Sequence, residues 1–100
     1  MRKYENLLLL SPELSAEERQ GILDNLIAII EREGGKILEM DEWGMRDLAY
    51  AVRKMDRGYY VLINSVMPGP AVAELERNIR ITDGIFKFVT VKLEDVEEVA

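Results

Sequence analysis

The sequence contains no cysteine and no histidine. The first absence excludes a disulfide framework, and the two together remove the usual ligands of zinc and haem and the bases of Ser/His and Cys/His active sites. No run of 18 apolar residues is present, and the first residues lead into a strand-like segment without a signal-peptide cleavage pattern. We therefore expect a cytosolic protein without a membrane span.

Charge is distributed unevenly along the 100 residues, of which 48% are apolar and 32% are charged. This length and composition predict a single globular domain. The net charge is -6, and the final segment, 94–100, holds four acidic residues and no basic one. We expect a folded domain over 1–93 and a flexible acidic tail over 94–100.

The first half of the chain shows one strand pattern, one helix pattern and one less regular run. A leucine-rich stretch predicts a strand over 3–10. Ser15 and Glu18 match a capping box, and the apolar residues that follow at helical spacing predict a helix ending at Gly34-Gly35. Residues 36–55 predict a long second strand with a bulge at Gly44.

The second half predicts a hairpin, a helix and a last strand. Residues 54–58 have the length and the glycine of a hairpin loop, and the tyrosine-rich run over 59–63 predicts the strand beyond it. A proline-rich turn precedes apolar residues at helical spacing as far as Arg80. Residues 85–92 are rich in β-branched and aromatic side chains, which favours a strand.

The resulting order, β-α-β-β-α-β, predicts an α+β fold: a ferredoxin-like sandwich whose four-stranded antiparallel sheet carries two helices on one face. This fold hosts many unrelated functions, so function depends on the site. The arrangement leaves one sheet face open. Because both sides of the last strand include apolar residues, we expect the open face to contact a protein or a nucleic acid.

The charged residues indicate binding more than catalysis. The acidic pairs Asp41-Glu42 and Glu74/Glu76 lack the placement of an acid/base pair, and no glycine-rich segment matches a phosphate-binding loop. The predicted topology makes the first and last strands neighbours, which favours one basic patch there. A second basic cluster surrounds the hairpin. The patch consists of Arg2, Lys3, Lys87 and Lys92, and the cluster of Arg46, Arg53, Lys54 and Arg57. From the residues alone, both are compatible with solvated surface or with nucleic-acid contact.

Several motifs together resemble the bacterial small-subunit ribosomal protein S6 family over roughly residues 1–93. They are Arg2-Lys3-Tyr4-Glu5, Trp43-Gly44-Met45-Arg46-Asp47-Leu48-Ala49-Tyr50, Gly58-Tyr59-Tyr60 and the run Glu74-Leu75-Glu76-Arg77-Asn78-Ile79-Arg80-Ile81-Thr82-Asp83. The resemblance implies a ferredoxin-like fold and a structural role without catalysis. It also implies two partners, small-subunit ribosomal RNA in the platform region and ribosomal protein S18, with which family members form a heterodimer. We expect no cofactor and no small-molecule substrate.

Carried over by position, the resemblance implies that Arg2, Tyr4, Arg46 and Lys87 contact RNA, and the basic patch adds Lys3 and Lys92 to this set. The expected RNA-binding set is Arg2, Lys3, Tyr4, Arg46, Lys87 and Lys92, and the expected partner-binding set is Met45, Leu48, Tyr60 and Leu62. Lys87 stands where the family usually has arginine, so its contact with phosphate is expected to be a point charge. Asn6 replaces an apolar core residue, which predicts either a buried hydrogen bond or a shifted strand.

One alternative function stays open: a stand-alone ferredoxin-like regulatory domain that binds a small metabolite between the sheets of a dimer. A self-dimer and ligand-dependent melting would distinguish it. An acylphosphatase-type enzyme is disfavoured, because the loop after the first strand, 11–14, contains no arginine for phosphate.

Overall fold

The computed structural model describes residues 1–95 and contains the six elements in the predicted order. They are β1 (Arg2–Leu10), α1 (Ala16–Arg32), β2 (Lys36–Val52), β3 (Met55–Met67), α2 (Gly69–Ile81) and β4 (Ile85–Asp95). The strands form one antiparallel sheet in the order β2-β3-β1-β4. No helix in this part of the chain is long and apolar enough to cross a membrane. β4 includes the first two residues of the predicted tail, and the rest, 96–100, lies outside the described residues.

Two local signals in the sequence determine how α1 begins and ends. The Ser15 hydroxyl accepts a hydrogen bond from the Glu18 backbone N–H, and the Glu18 carboxylate accepts one from the Ser15 backbone N–H, so the predicted capping box is confirmed. Hydrogen bonding to the Glu18 carboxylate, first from the Ser15 backbone N–H and then from the Ser15 side chain, lowers the pKa of Glu18 below its usual value. After the helix, Gly34 adopts a left-handed φ of 88°, which turns the chain into β2.

The core lies between the helices and one face of the sheet, and alternation along β1 separates the two faces. Tyr4, Leu8 and Leu10 are buried on the helix side. They pack with apolar residues of α1, β3 and α2, including Leu23, Leu26, Ile30, Ile63, Leu75 and Ile79. The intervening β1 residues point to the face that neither α1 nor α2 covers.

The turn between β2 and β3 is shorter than the sequence predicts, and the prediction of a loop over 54–58 is wrong. Val52 pairs directly with Met55, so the turn consists of Arg53 and Lys54, with left-handed φ values of 50° and 66°. Such two-residue turns usually contain glycine or asparagine. Residues 53 and 54 are neither, so the sequence does not indicate a turn at this position. Gly58 instead lies buried inside β3. Glycine is needed there because the Cβ of any other residue would overlap Leu9 Cδ1 of the neighbouring strand.

Asn6 resolves the two possibilities that its sequence position raised. Its side chain is 1% exposed on the helix side of β1, and its Nδ2 donates a 2.7 Å hydrogen bond to Thr90 Oγ1 of β4. Residues 6 and 90 pair directly in the sheet, so β1 is not shifted. The Asn6 Oδ1 has no partner, and the amide therefore depends on this one hydrogen bond.

We predict that Thr90→Val lowers the free energy of unfolding by about 2 kcal/mol, because it leaves the buried Asn6 amide without a partner. The double variant Asn6→Leu/Thr90→Val should recover most of the loss, since neither buried side chain then needs a hydrogen bond. Urea denaturation of the two variants and the parent measures both effects. An unchanged midpoint for Thr90→Val would contradict this account.

Candidate interface on the open sheet face

The open face of the sheet has an apolar centre. Leu7 and Leu9 of β1 lie opposite Leu62 and Tyr60 of β3, and Leu7 also pairs with Val89 of β4. A depression of about 170 Å³ is lined by Leu7, Leu9, Tyr60 and Val89, together with Lys87 and Phe88. Val89 is 56% exposed, Leu7, Tyr60 and Leu62 are half-buried, and Leu9 is buried, so part of this apolar surface is in contact with water. Such a surface is typical of an interface.

A bulge in β2 adds Trp43 to this face. Asp41 pairs with Leu62 and Gly44 with Tyr60, which leaves two β2 residues opposite only Val61, and Gly44 takes a φ of 89°. The Trp43 ring lies 6.2 Å from the Tyr60 ring, between centroids, and its Nε1 donates a 3.1 Å hydrogen bond to Asp41. The predicted bulge near Gly44 is confirmed.

Arg46 extends the same cluster toward the hairpin. Its guanidinium carbon lies 6.0 Å from the Trp43 ring centroid, and its Nε donates a 3.4 Å hydrogen bond to the Trp43 carbonyl. An exposed arginine that is held beside an aromatic ring in this way can contact a phosphate or a carboxylate.

Three of the four residues in the partner-binding set share the open face. Tyr60 and Leu62 lie at its centre, and Leu48 lines a depression of about 160 Å³ together with Tyr60. Met45 pairs with Tyr59, whose ring packs on the helix side, 4.1 Å below the Arg19 guanidinium carbon. The structure therefore places Met45 on the helix side of the sheet, away from the other three.

Tyr59 illustrates why adjacent tyrosines have different roles. Its hydroxyl donates a 3.0 Å hydrogen bond to the Glu42 carboxylate. Desolvation, followed by this carboxylate, raises the pKa of Tyr59 above its usual value. The ring is thus fixed between α1 and β2, whereas Tyr60, one residue later, points to the open face.

The basic residues in the RNA-binding set lie in different parts of the molecule. Three of them lie on the open face, because directly paired residues share one face of the sheet. Lys87 pairs with Leu9, Arg46 pairs with Gly58, and Lys3 pairs with Val66. Lys92 pairs with Tyr4 on the opposite side, and the Arg2 guanidinium approaches Gly69 at the start of α2.

The expected single patch on β1 and β4 is therefore divided. Lys87 pairs near the end of β1, at Leu9, whereas Arg2 and Lys3 lie at its beginning, roughly 20 Å away at about 3.3 Å per residue. Tyr4 is 6% exposed in the core, so it offers no ring face to a ligand and stabilises the start of β1 instead.

The end of the open face opposite the hairpin has a small excess of negative charge, with two carboxylates and one lysine. A depression of about 280 Å³ is lined by Lys3, Glu5, Leu38, Glu39 and Asn64, together with Leu93. Neither Glu5 nor Glu39 forms an ion pair with another residue that the structure describes. Two unpaired carboxylates beside exposed leucines favour a partner that brings positive charge and apolar side chains.

Among residues 1–93, whose side chains the structure describes, there is no group of three or more acidic side chains that could hold a metal ion. A larger depression, of about 730 Å³, lies away from the open face, between the start of α1 and the α2–β4 loop. Glu18 in its lining already serves the capping box of α1. The open face is therefore the stronger candidate site.

Comparison with known proteins gives consistent matches over nearly the whole chain. The family model described as Ribosomal protein S6 matches residues 3–92. A protein named small ribosomal subunit protein bS6 from Nitratidesulfovibrio vulgaris (strain Miyazaki F) is 65% identical over 101 residues. The alignment covers 100% of this chain and 100% of that protein. A protein of the same name from Desulfovibrio desulfuricans is 67% identical, with 95% of this chain and 93% of that protein covered.

A solved structure supports the same assignment of the fold. The crystal structure of 30S ribosomal protein S6 from Thermotoga maritima superposes with a TM-score of 0.87 at 32% identity, covering 92% of this chain and 87% of that one. The order of the elements described above thus matches a fold that is known from a crystal structure.

Proposed function

Since the chain belongs to the Ribosomal protein S6 family, we propose that it forms a heterodimer with ribosomal protein S18 and binds small-subunit ribosomal RNA cooperatively with it. The membership itself makes the chain a structural component of the bacterial small ribosomal subunit, located on the ribosome in the cytoplasm. It is an RNA-binding protein of the translation machinery and not an enzyme.

The observation that carries the proposal is the open sheet face, with an apolar centre and an acidic end. Tyr60 and Leu62, with Leu48 beside them, supply apolar contact area on the face that neither α1 nor α2 covers. Glu5 and Glu39 supply negative charge at the edge of the same surface. A small basic protein with apolar side chains complements both features.

Electrostatics explains why RNA binding should depend on the partner. The chain has a net charge of -6, which opposes association with a polyanion. A basic partner bound at the acidic end neutralises this charge and adds its own phosphate contacts. Lys3, Arg46 and Lys87 on the open face, with Arg2 and Lys92 at the start of β1 and the end of β4, then contribute to a joint surface.

The test compares the affinity of a platform fragment of small-subunit ribosomal RNA for this chain, for S18 and for their mixture. We expect a one-to-one protein complex by size exclusion with light scattering. We also expect the complex to bind the RNA at least about fivefold more tightly than either protein alone, the lower end of usual coupling energies. Filter binding or fluorescence anisotropy at physiological salt measures the affinities.

Two results would overturn the proposal. Equal RNA affinities with and without S18 would remove the cooperative mechanism. A stable homodimer that ignores both partners, and that melts at a higher temperature when a metabolite is added, would favour the regulatory domain instead.

A further inference from the structure

The β2–β3 hairpin and the adjacent part of β4 form a basic end of the molecule, although the chain as a whole is acidic. This basic end comprises five cationic residues, Arg46, Arg53, Lys54, Arg57 and Lys87, against Asp47 and Asp56. Arg57 forms a 3.1 Å ion pair with Asp47, and both side chains remain largely exposed. In a chain of net charge -6, this concentration of positive charge indicates an anionic ligand.

An aromatic ring stands at the centre of the basic end. Tyr50 is 73% exposed, the largest exposure among the large hydrophobic residues that the structure describes. The Lys87 ammonium lies 5.6 Å from its ring centroid. Below it, Leu48 and Leu9 line a depression of about 160 Å³. The ring is thus held beside a cation while most of its surface stays open to solvent.

The turn brings two more cations to the same end of the molecule, and one of them, Arg53, lies against a residue that lines the larger depression beside α1. The Arg53 guanidinium carbon lies 5.0 Å from the ring centroid of Phe86, which precedes Lys87 in β4. Lys54 completes the two-residue turn and is exposed. Cations around an exposed aromatic ring are the combination that proteins use to bind single-stranded nucleic acid, where the ring stacks on a base and the cations contact phosphates.

We propose that the hairpin binds an unpaired segment of RNA, with the Tyr50 ring stacked on one base and Arg53, Lys54 and Lys87 on the flanking phosphates. The inference rests on the proposed function, because it assumes that the chain binds ribosomal RNA. It goes beyond it by naming the class of RNA and the residue that contacts a base.

Charge decides between RNA and a protein as the ligand of this end. The partner proposed above is basic, and the hairpin would repel it, whereas Glu5 and Glu39 at the far end of the open face would attract it. The two ends of the face therefore favour different molecules, which would meet at the depression that Leu48 and Tyr60 share with Tyr50 and Lys87. Tyr50 lies at the end that favours a polyanion.

The first experiment measures the affinity of the S18 complex for the platform RNA fragment with Tyr50 varied. Tyr50→Ala should weaken binding about tenfold, as expected for one lost stacking contact, while Tyr50→Phe, which keeps the ring, should bind like the parent. Ile81→Ala is the matched control, since Ile81 is 66% exposed and lies at the end of α2. All three variants should melt like the parent.

The second experiment separates phosphate contact from general charge. Lys54→Gln should reduce the slope of log affinity against log salt by about 0.7, the value for one contact with a single strand. Lys36→Gln makes the same charge change at the start of β2 and should leave the slope unchanged. Equal slopes for the two variants would contradict a phosphate contact at the turn.

A photo-crosslinking amino acid at position 50 identifies what lies against the ring. Crosslinking to an unpaired nucleotide supports the proposal, and crosslinking to S18 overturns it in favour of a protein contact. If the parent complex binds RNA and Tyr50→Ala binds equally well, only this inference fails. If the parent complex binds no RNA, the proposed function fails with it.

Discussion

Replacing Gly35 by alanine is expected to lower the free energy of unfolding by about 3 kcal/mol. A Cβ at this position would lie 2.8 Å from the Val66 backbone oxygen, 2.8 Å from Met67 Cβ and 2.9 Å from Ile30 Cγ2. Two of these atoms belong to β3 at or next to its backbone, and the third is fixed in the core. Relief of the overlap therefore requires the α1–β2 connection to move away from the sheet.

Gly21→Ala is the matched control for Gly35→Ala. Gly21 lies within α1, and a Cβ there would meet nothing within 4 Å. Alanine in a helix interior is more favourable than glycine by about 0.5–1 kcal/mol, so this substitution should stabilise the protein. Urea denaturation monitored by the Trp43 fluorescence measures both variants. Equal effects of the two would show that space at residue 35 does not limit the fold.

The order of elements could be predicted because each helix and strand has its own local signal. The capping box and Gly34-Gly35 bound α1, and the leucine-rich run predicts β1. The hairpin turn could not be located, since its conformation depends on how β2 and β3 pair and not on residues that favour a left-handed φ. The loop was predicted to end at Gly58 because glycine is common in turns. In the structure, glycine is required at this position by the close approach of Leu9 from the neighbouring strand.

Placement of the candidate site residues depended on the same pairing. The alternation of β1 and β3 around Tyr60 and Leu62 is regular, so their position on one face could be expected. β2 has register shifts on both sides of Met45, and each shift reverses which residues face outward. The position of Met45 on the helix side, and the inclusion of Trp43 in the open face, therefore required the structure.

Tyr50 was missed for a different reason. Nothing in the local sequence indicates that residue 87 of β4 approaches the ring, because the contact joins the second strand to the last one. The sequence does contain one signal, which is a tyrosine followed closely by two basic residues at positions 53 and 54. Only the three-dimensional arrangement adds the third cation and makes the combination specific.

The largest effect on assembly is expected for Tyr60→Ala, which should weaken the heterodimer with S18 by about 30-fold or more. Tyr60 lies at the centre of the open face, beside the Trp43 ring and between the depressions that Leu48 and Leu7 help to line. Aromatic residues at the centre of an interface commonly contribute about 2 kcal/mol or more to binding when truncated. Isothermal titration calorimetry with purified S18 measures the change.

Tyr60→Phe and the adjacent residue provide the controls that make this result interpretable. Tyr60→Phe keeps the ring against Trp43 and should bind S18 within about threefold of the parent, because the contact is mainly the ring's apolar area. Tyr59→Phe removes a hydroxyl that faces Glu42 on the helix side and should leave the affinity unchanged. If Tyr60→Ala is folded, as its melting curve would show, and still binds S18 like the parent, the partner does not occupy the open face. The unpaired Glu5 and Glu39 would then need another explanation.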